Sequence, residues 1–480
     1  MTALIIHGHF YQPPRENPWT GEVEPEPSAA PYHDWNERIH AECYAANVNN
    51  YKNISFNFGP SLLSWLESHH LDTYLRILNA DKESAAQRGG HGNAIAQAYG
   101  HAILPLCNER DRLTQVFWGL ADFRYRFGRE AEALWLPEAA ANDDVLALLI
   151  EQGMRYVILS PKQAKSAVDG TKSYFFRHPD GSGRSLAVFF YNDSLAQAIA
   201  FGNALTSSRG LVERFVDVAR GGDLVNVATD GETYGHHFKF GDLCLAHALD
   251  IDAKQAGFWI TNYGEYLDRR PPEIEIEIDN GPEGEGSSWS CAHGVGRWTR
   301  DCGCHTDSEP GWNQAWRGPL RRALNFLRDD AAVKFESLGG DLFRDPWAAR
   351  NDYIAVILDE RRAHSEFLMR HARRALSALE EERVFLLMEM QRSALLMFTS
   401  CGWFFSDLAG IETTQVMRYA ARVIDLQEQL GLEPPRTRFL ELMAEATSNR
   451  PDKGTGADIF LTLLPQINAD THRFYPRSSA

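Results

Sequence analysis

Short apolar runs recur along the first half of the chain, each followed by a polar or Gly-rich loop and then an amphipathic stretch of helical period. They fall at residues 4–9, 54–58, 94–98, 133–136, 156–159, 186–191 and 224–228, with 258–261 as a further candidate. Strands at this spacing with helices between them read as β/α units around a parallel sheet. Seven or so such units in about 260 residues fit a barrel or distorted barrel better than a dinucleotide-binding sheet. No G-x-G-x-x-G follows the first run, which weakens the nucleotide reading further.

After residue 270 the texture changes. PPEIEIEID alternates apolar and acidic positions, and NGPEGEGSS is a Gly-rich loop. From 312 to 449 the pattern turns helical, and 361–390 carries Arg, Glu, Ala and Leu at helical spacing with hardly a breaker. The expected organisation is a barrel-type catalytic domain over 1–270, a loop-rich Trp/Cys bridge over 271–311, and an all-helical C-terminal domain over 312–480.

Composition narrows the function. The 480 residues carry 48 Lys+Arg against 65 Asp+Glu, a formal charge of −17. That balance argues against nucleic acid, which needs clustered basic residues, and against an anionic membrane surface. The opening MTALIIHGHF lacks the basic segment and long apolar core of a signal peptide, and no later stretch is apolar enough to span a bilayer. A cytoplasmic location is expected, and seven cysteines suit a reducing compartment. With 12 Trp and 16 Tyr, flat rings are plentiful enough to line a carbohydrate site as well as a core.

In parallel β/α architectures the reacting groups follow the C-terminal ends of strands. After the first run comes His7-Gly8-His9-Phe10-Tyr11-Gln12-Pro13, and after the third come Gln97, Tyr99 and His101. After the fourth comes Trp135-Leu136-Pro137-Glu138, and after the seventh comes Asp230-Gly231-Glu232-Thr233-Tyr234-Gly235-His236. Ionisable groups at the same end of successive strands converge on one place. Two carboxylates among them, Glu138 and Asp230, suit retaining glycoside hydrolysis, which needs such a pair about 5–5.5 Å apart. A solvated loop charge or a helix cap is the plainer reading of either alone; the pair together, amid His and aromatic residues, favours chemistry. A second reading is a metal-dependent carbohydrate hydrolase, such as a polysaccharide deacetylase or zinc mannosidase. It would take His7, His9, His101, Asp230 and His236 as ligands.

The three motifs around His7, Glu138 and Asp230, in that order, resemble signature regions of glycoside hydrolase family 57. The resemblance implies an α/β fold, a distorted (β/α)7 barrel followed by a helical region, acting on α-glucan or maltooligosaccharide with retention. It implies Glu138 as nucleophile and Asp230 as general acid/base. It places His7, His9 and Gln12 in the subsite beside the cleaved bond, with Glu232 and His236 supporting. Amylase, 4-α-glucanotransferase and branching chemistry all fit, since they share a glycosyl-enzyme intermediate. The segment Gly92–Gln97 departs from the family's second region, because it offers amides where a Glu is common, leaving Gln97 and His101 as the polar groups there. Trp135, Trp289 and Trp298 are expected substrate contacts, the last two in a Gly-rich lid that is our candidate for the family's fifth region. The same bridge crowds Cys291, His293, Cys302, Cys304 and His305, which could hold zinc, form a disulfide or remain free thiols. Cys-x-Cys is tighter than the usual Cys-x2–4-Cys, so no metal is assigned on spacing. No phosphate cradle occurs, so no organic cofactor is implied, and the oligomeric state is left open.

Overall fold

The computed structural model describes residues 1–470, with side chains throughout that span except at 360–362 and 465–470. Each apolar run contains a strand: β1 (Ala3–Phe10), β2 (Ser55–Phe58), β3 (Ala96–Gln97), β4 (Leu134–Trp135), β5 (Tyr156–Leu159), β7 (Ser185–Phe190), β8 (Leu224–Asp230) and β9 (Trp259–Ile260). The sequence pattern misses β6 (Ser173–Arg177), which pairs antiparallel with β7. The other pairings are parallel, as β/α units require.

The expected distorted (β/α)7 barrel does not appear as one continuous sheet. The strands form three small sheets: β2-β1-β8 with β9 also on β1, β3-β4, and β5-β7-β6. Single bridges at Phe56–Ala94 and Ala133–Tyr156 are what link the first sheet to the second and the second to the third. The ladder fails where β3 and β4 shrink to two residues each. Pro137 has no N–H to donate to a ladder, and the backbone turns left-handed at Glu138 (φ 58°), Ala139 (φ 48°) and His101 (φ 52°). The chain leaves the sheet early where the candidate chemistry sits.

The helix Glu109–Phe127 shows how tightly these short strands are backed. Asn108 caps its start by accepting from the Asp111 N–H, and Gly128 ends it at φ 68°. A Cβ on Gly119 would stand 2.0 Å from the carbonyl oxygen of Gln97. Glycine ordinarily weakens a helix, yet here its absent side chain lets the helix lie against β3. Gly119→Ala is therefore expected to cost about 1–3 kcal/mol in a denaturant titration despite alanine's better helix propensity. A variant as stable as the parent would show that this contact yields freely.

The region after residue 312 is helical, as expected. The segment 361–390 is not one helix, however. It ends at His371, pairs through an isolated bridge at Phe343–Ala372, and restarts as Ala378–Leu396, with Ser377 and Glu380 forming a capping box. The apolar core is in two parts. The first comprises residues of the strands and their helices, from Ala3 to Ile278. The second centres on Arg317–Leu342, Ala378–Leu396 and Ile411–Gln429, and it also takes in Trp19, Ala102, Ile103, Trp118 and Ala140. The helices thus pack directly on the segments that follow β3 and β4. Among the described residues no helix is long and apolar enough to cross a membrane.

Candidate active site

Strand register places the polar side chains in rows. Across β2-β1-β8, Asn57, His9 and Asp230 stand side by side, and Gln97 stands beside Trp135 on β3-β4. On β1, His7 and His9 lie two residues apart and so share a face, as a strand's period of two dictates. Gly231 allows the turn after β8, since a Cβ there would meet the Phe10 ring at 2.3 Å.

The histidines form one hydrogen-bonded relay whose tautomers follow from its ends. The Asn57 amide donates to His9 Nδ1 at 3.0 Å and to Gln97 Oε1 at 2.8 Å, while its oxygen accepts from His7 Nε2 at 3.1 Å. With Nδ1 accepting, His9 carries its proton on Nε2 and donates to His101 Nε2 at 3.3 Å. His101 then donates from Nδ1 to Ser400 Oγ at 2.6 Å. His9 and His101 must be neutral for this to work. Burial pushes His7 and His9 down to about 3 and His101 well below its ordinary value, with His9 adding to the shift at His7 and at His101 and the Asn57 hydrogen bond opposing it at His7 and His9. The rings also stack: Trp135 lies 4.9 Å from His7 and 4.8 Å from His9, and Tyr11 lies 3.7 Å from His101.

Glu138 sits in the left-handed turn after β4, 9% exposed. Its position is fixed by the segment 287–290, which runs alongside. Ala141 and Ser287 exchange both backbone hydrogen bonds at 2.9 Å, and the Trp289 N–H donates to the Glu138 carbonyl at 3.1 Å. This brings two donors to one carboxylate oxygen: Ser290 Oγ at 2.6 Å and Trp289 Nε1 at 3.2 Å. Burial raises the Glu138 pKa, and Ser290, Arg297 and Trp289 oppose that shift by favouring the ionised form.

Asp230 differs. It is the one residue of β8 open to solvent. Desolvation of its carboxyl, then the like charge of Glu138, push its pKa up to about 7. Three buried polar atoms around His9 have no partner: Tyr11 Oη, Gln97 Nε2 and Trp135 Nε1. Buried polar atoms rarely stay unpaired.

Eight of the residues singled out from sequence thus gather in one place: His7, His9, Gln97, His101, Trp135, Glu138, Asp230 and Trp289. The others stand apart. Gln12 is turned inward, donating to the Tyr11 carbonyl at 2.9 Å and accepting from Arg15 at 3.0 Å. Glu232 lies behind the site, where it accepts from the Tyr11 N–H at 3.1 Å and from the Tyr44 hydroxyl at 2.7 Å. Burial and Asp230 push its pKa up to about 8. His236 pairs with Glu42 at 2.5 Å beside Trp35. Trp298 is corrected from a substrate contact to a core residue: it is fully buried among the helices and donates to the Ser400 carbonyl at 3.1 Å. Trp316, further along the chain, is core likewise, and Trp312 is partly exposed under Arg450, so of the Trp expected in the lid only Trp289 stands at the site. The sequence reading missed Asn57, Ser290 and Ser400, whose partners lie up to 299 positions away; no local motif marks them.

The metal-dependent alternative is not supported. Both ring nitrogens of His7 and of His9 are engaged by protein groups. The groups that converge as metal ligands among the described residues are Cys291, His293, Cys302 and Cys304, and Glu37, His40 and His70. Neither set contains His7, His9, His101, Asp230 or His236.

Residues 32–279 match the family model Glycosyl hydrolase family 57, and residues 312–474 match Domain of unknown function (DUF3536). The chain belongs to glycoside hydrolase family 57. It is 24% identical over 246 residues to a 4-alpha-glucanotransferase of Thermococcus litoralis, covering 49% of this chain and 36% of that protein. It is 22% identical over 268 residues to an alpha-amylase of Pyrococcus furiosus, covering 53% and 39%. The chain therefore spans little more than a third of the length of these curated relatives. Among solved structures, an exo-type maltose-forming amylase from Pyrococcus sp. ST04 superposes with TM-score 0.70 at 15% identity, over 98% of this chain and 94% of that one. A branching enzyme of the same family from Pyrococcus horikoshii gives TM-score 0.56 at 15% identity, over 99% and 95%. At such identities the likeness is one of fold, and it extends through the helical region.

Proposed function

We propose that the chain is a retaining enzyme that cleaves or transfers α-glucosidic bonds of α-glucan. In this reading Glu138 is the nucleophile and Asp230 the general acid/base. The observation that carries it is the contrast between the two carboxyls. Glu138 receives two hydrogen bonds that favour its ionised form. Asp230 is reached by solvent and is held near pKa 7 partly by the charge of Glu138. Attack needs an ionised group and departure needs a protonated one, and different surroundings for two neighbouring carboxyls divide the roles that way.

The glycosyl-enzyme intermediate forms as a Glu138 oxygen bonds to the anomeric carbon and the Asp230 proton moves to the departing oxygen. Asp230 then takes a proton from water or a sugar hydroxyl, which displaces Glu138. His9 and His101 spend both ring nitrogens on the relay and act by holding their neighbours in place, while the unpartnered Gln97 Nε2 and the partly exposed ring of Trp289 offer a hydrogen bond and a stacking surface to an uncharged sugar. The three small sheets read as segments of one distorted (β/α)7 barrel. We assign 1–270 to it, 271–311 to the bridge and 312–480 to a helical domain that completes the site through Ser400.

The relatives bear amylase, glucanotransferase and branching names, and the choice among these turns on what resolves the intermediate. Incubation with amylose, maltooligosaccharides and glycogen, with products resolved by length and linkage, is expected to yield shortened, lengthened or newly branched glucans with retained anomeric configuration. Binding without any product, or inverted product, would overturn the reading.

A further inference from the structure

Cys291, His293, Cys302 and Cys304 converge in a stretch of chain with little regular structure. From 271 to 316 the only helical turn is Gly296–Trp298. One ligand atom from each of the four lies within 4.8 Å of the others. Cys291 Sγ and Cys302 Sγ are 3.9 Å apart, and Cys304 Sγ and His293 Nδ1 are 3.5 Å apart. A disulfide would need about 2.05 Å between sulfurs. A tetrahedral zinc ion, with Zn–S of about 2.3 Å and Zn–N of about 2.05 Å, sets its ligands about 3.8 Å (S to S) and about 3.6 Å (S to N) apart. Those two separations match one S–S and one S–N edge of that tetrahedron, and the remaining pairs lie within 4.8 Å. His305, grouped with these residues on sequence, is exposed and outside the cluster.

Charge points the same way. Arg317 is fully buried, and its guanidinium donates to backbone carbonyls, among them Cys304 at 2.7 Å, with no carboxylate partner among the described residues. A buried cation needs a counter-charge, and Arg317 interacts electrostatically with all three thiols. Three thiolates, a neutral imidazole and Zn2+ sum to one negative charge, which is what Arg317 lacks.

We propose that Cys291, His293, Cys302 and Cys304 bind one structural zinc ion that cross-links the bridge to itself. Four protein ligands close the coordination sphere, which marks a structural rather than a catalytic site. Three thiol protons pass to solvent as three Zn–S bonds form, with no redox change. Cys291 directly follows Trp289 and Ser290, the two donors to Glu138, so the ion fixes the segment that holds that carboxylate. The zinc assignment does not depend on the activity proposed above, because metal content alone reports it.

The full chain, produced with zinc present and purified under reducing conditions, is expected to carry about one zinc per molecule by elemental analysis. Cobalt substitution is expected to give the intense visible absorption of a tetrahedral thiolate site, a wild-type readout that needs no variant to fold. Cys302→Ser, Cys304→Ser and His293→Ala should each lose about ninety per cent or more of the metal, while Cys107→Ser and His305→Ala retain it. Wild-type chain carrying less than about a tenth of an equivalent would overturn the site. So would a two-dalton mass loss showing a disulfide, or an iron–sulfur spectrum.

Discussion

Glu138→Gln lowers turnover of α-glucan by about a thousandfold or more, with a thermal midpoint close to that of the parent. A triad-like unit loses most of its rate when its nucleophile goes, and an amide cannot form the glycosyl ester. The change is nearly isosteric. Ser290 and the Trp289 indole can still donate to the remaining carbonyl oxygen, and the left-handed turn at φ 58° stays occupied by a side chain of the same length. A second, independent consequence follows from electrostatics. Asp230 is held high partly by the negative charge of Glu138, so the neutral amide lets the Asp230 pKa fall, readable by NMR titration of the side-chain carboxyl. Undiminished product release by the variant would sink the assignment of Glu138. An unchanged Asp230 pKa would show that the two carboxyls are too far apart to act on one bond.

The strands were legible because each is an apolar run interrupted by loops, and the site motifs because each is contiguous. His7 to Pro13, Trp135 to Glu138 and Asp230 to His236 can be read without knowing what they touch. Strand β6 was not legible, since Ser173–Arg177 owes its pairing to β7 across a surface hairpin rather than to a pattern of its own. Trp298 misled because a tryptophan amid glycines looks like a lid, and only the packing of Arg317–Leu342 and Ser400 around it makes it core. Ser290, Asn57 and Ser400 were invisible for a different reason. A serine or asparagine is common, and its meaning comes from a partner 152, 48 or 299 positions away. What the spacing could not show is how continuous the sheet is: the β/α order is real, yet Pro137 and the left-handed residues at 101, 138 and 139 release the chain before the ladders join. Those positions of backbone strain are also where His101 and Glu138 are aimed at the site, and strain of this kind costs about 1–3 kcal/mol per residue. Closure of the sheet is exchanged for placement of the side chains.

Asp230→Asn removes the alkaline limb of the pH profile and lowers the rate on α-glucan by about a hundredfold to ten-thousandfold. The sign follows from the two carboxyls. Asp230 must be protonated to start the reaction and its pKa lies near 7, so kcat/KM falls as pH rises through that value. Glu138 must be ionised, so the rate also falls on the acid side, below a pKa that burial raises above the ordinary glutamate value. The profile is a bell whose alkaline edge belongs to Asp230, and with asparagine in its place only the acid edge remains. Leaving-group chemistry separates this from simple misfolding. A nitrophenyl maltooligosaccharide releases a stable phenolate and needs no proton, so the first turnover of the variant on that substrate slows far less than on amylose. The intermediate then builds up on Glu138, because no base activates water, and a covalent mass increase on that residue reports it. Equal losses on both substrates, or an alkaline limb that survives the substitution, would remove Asp230 from the acid/base role and leave Glu232, the other high-pKa carboxyl beside it, as the next group to test.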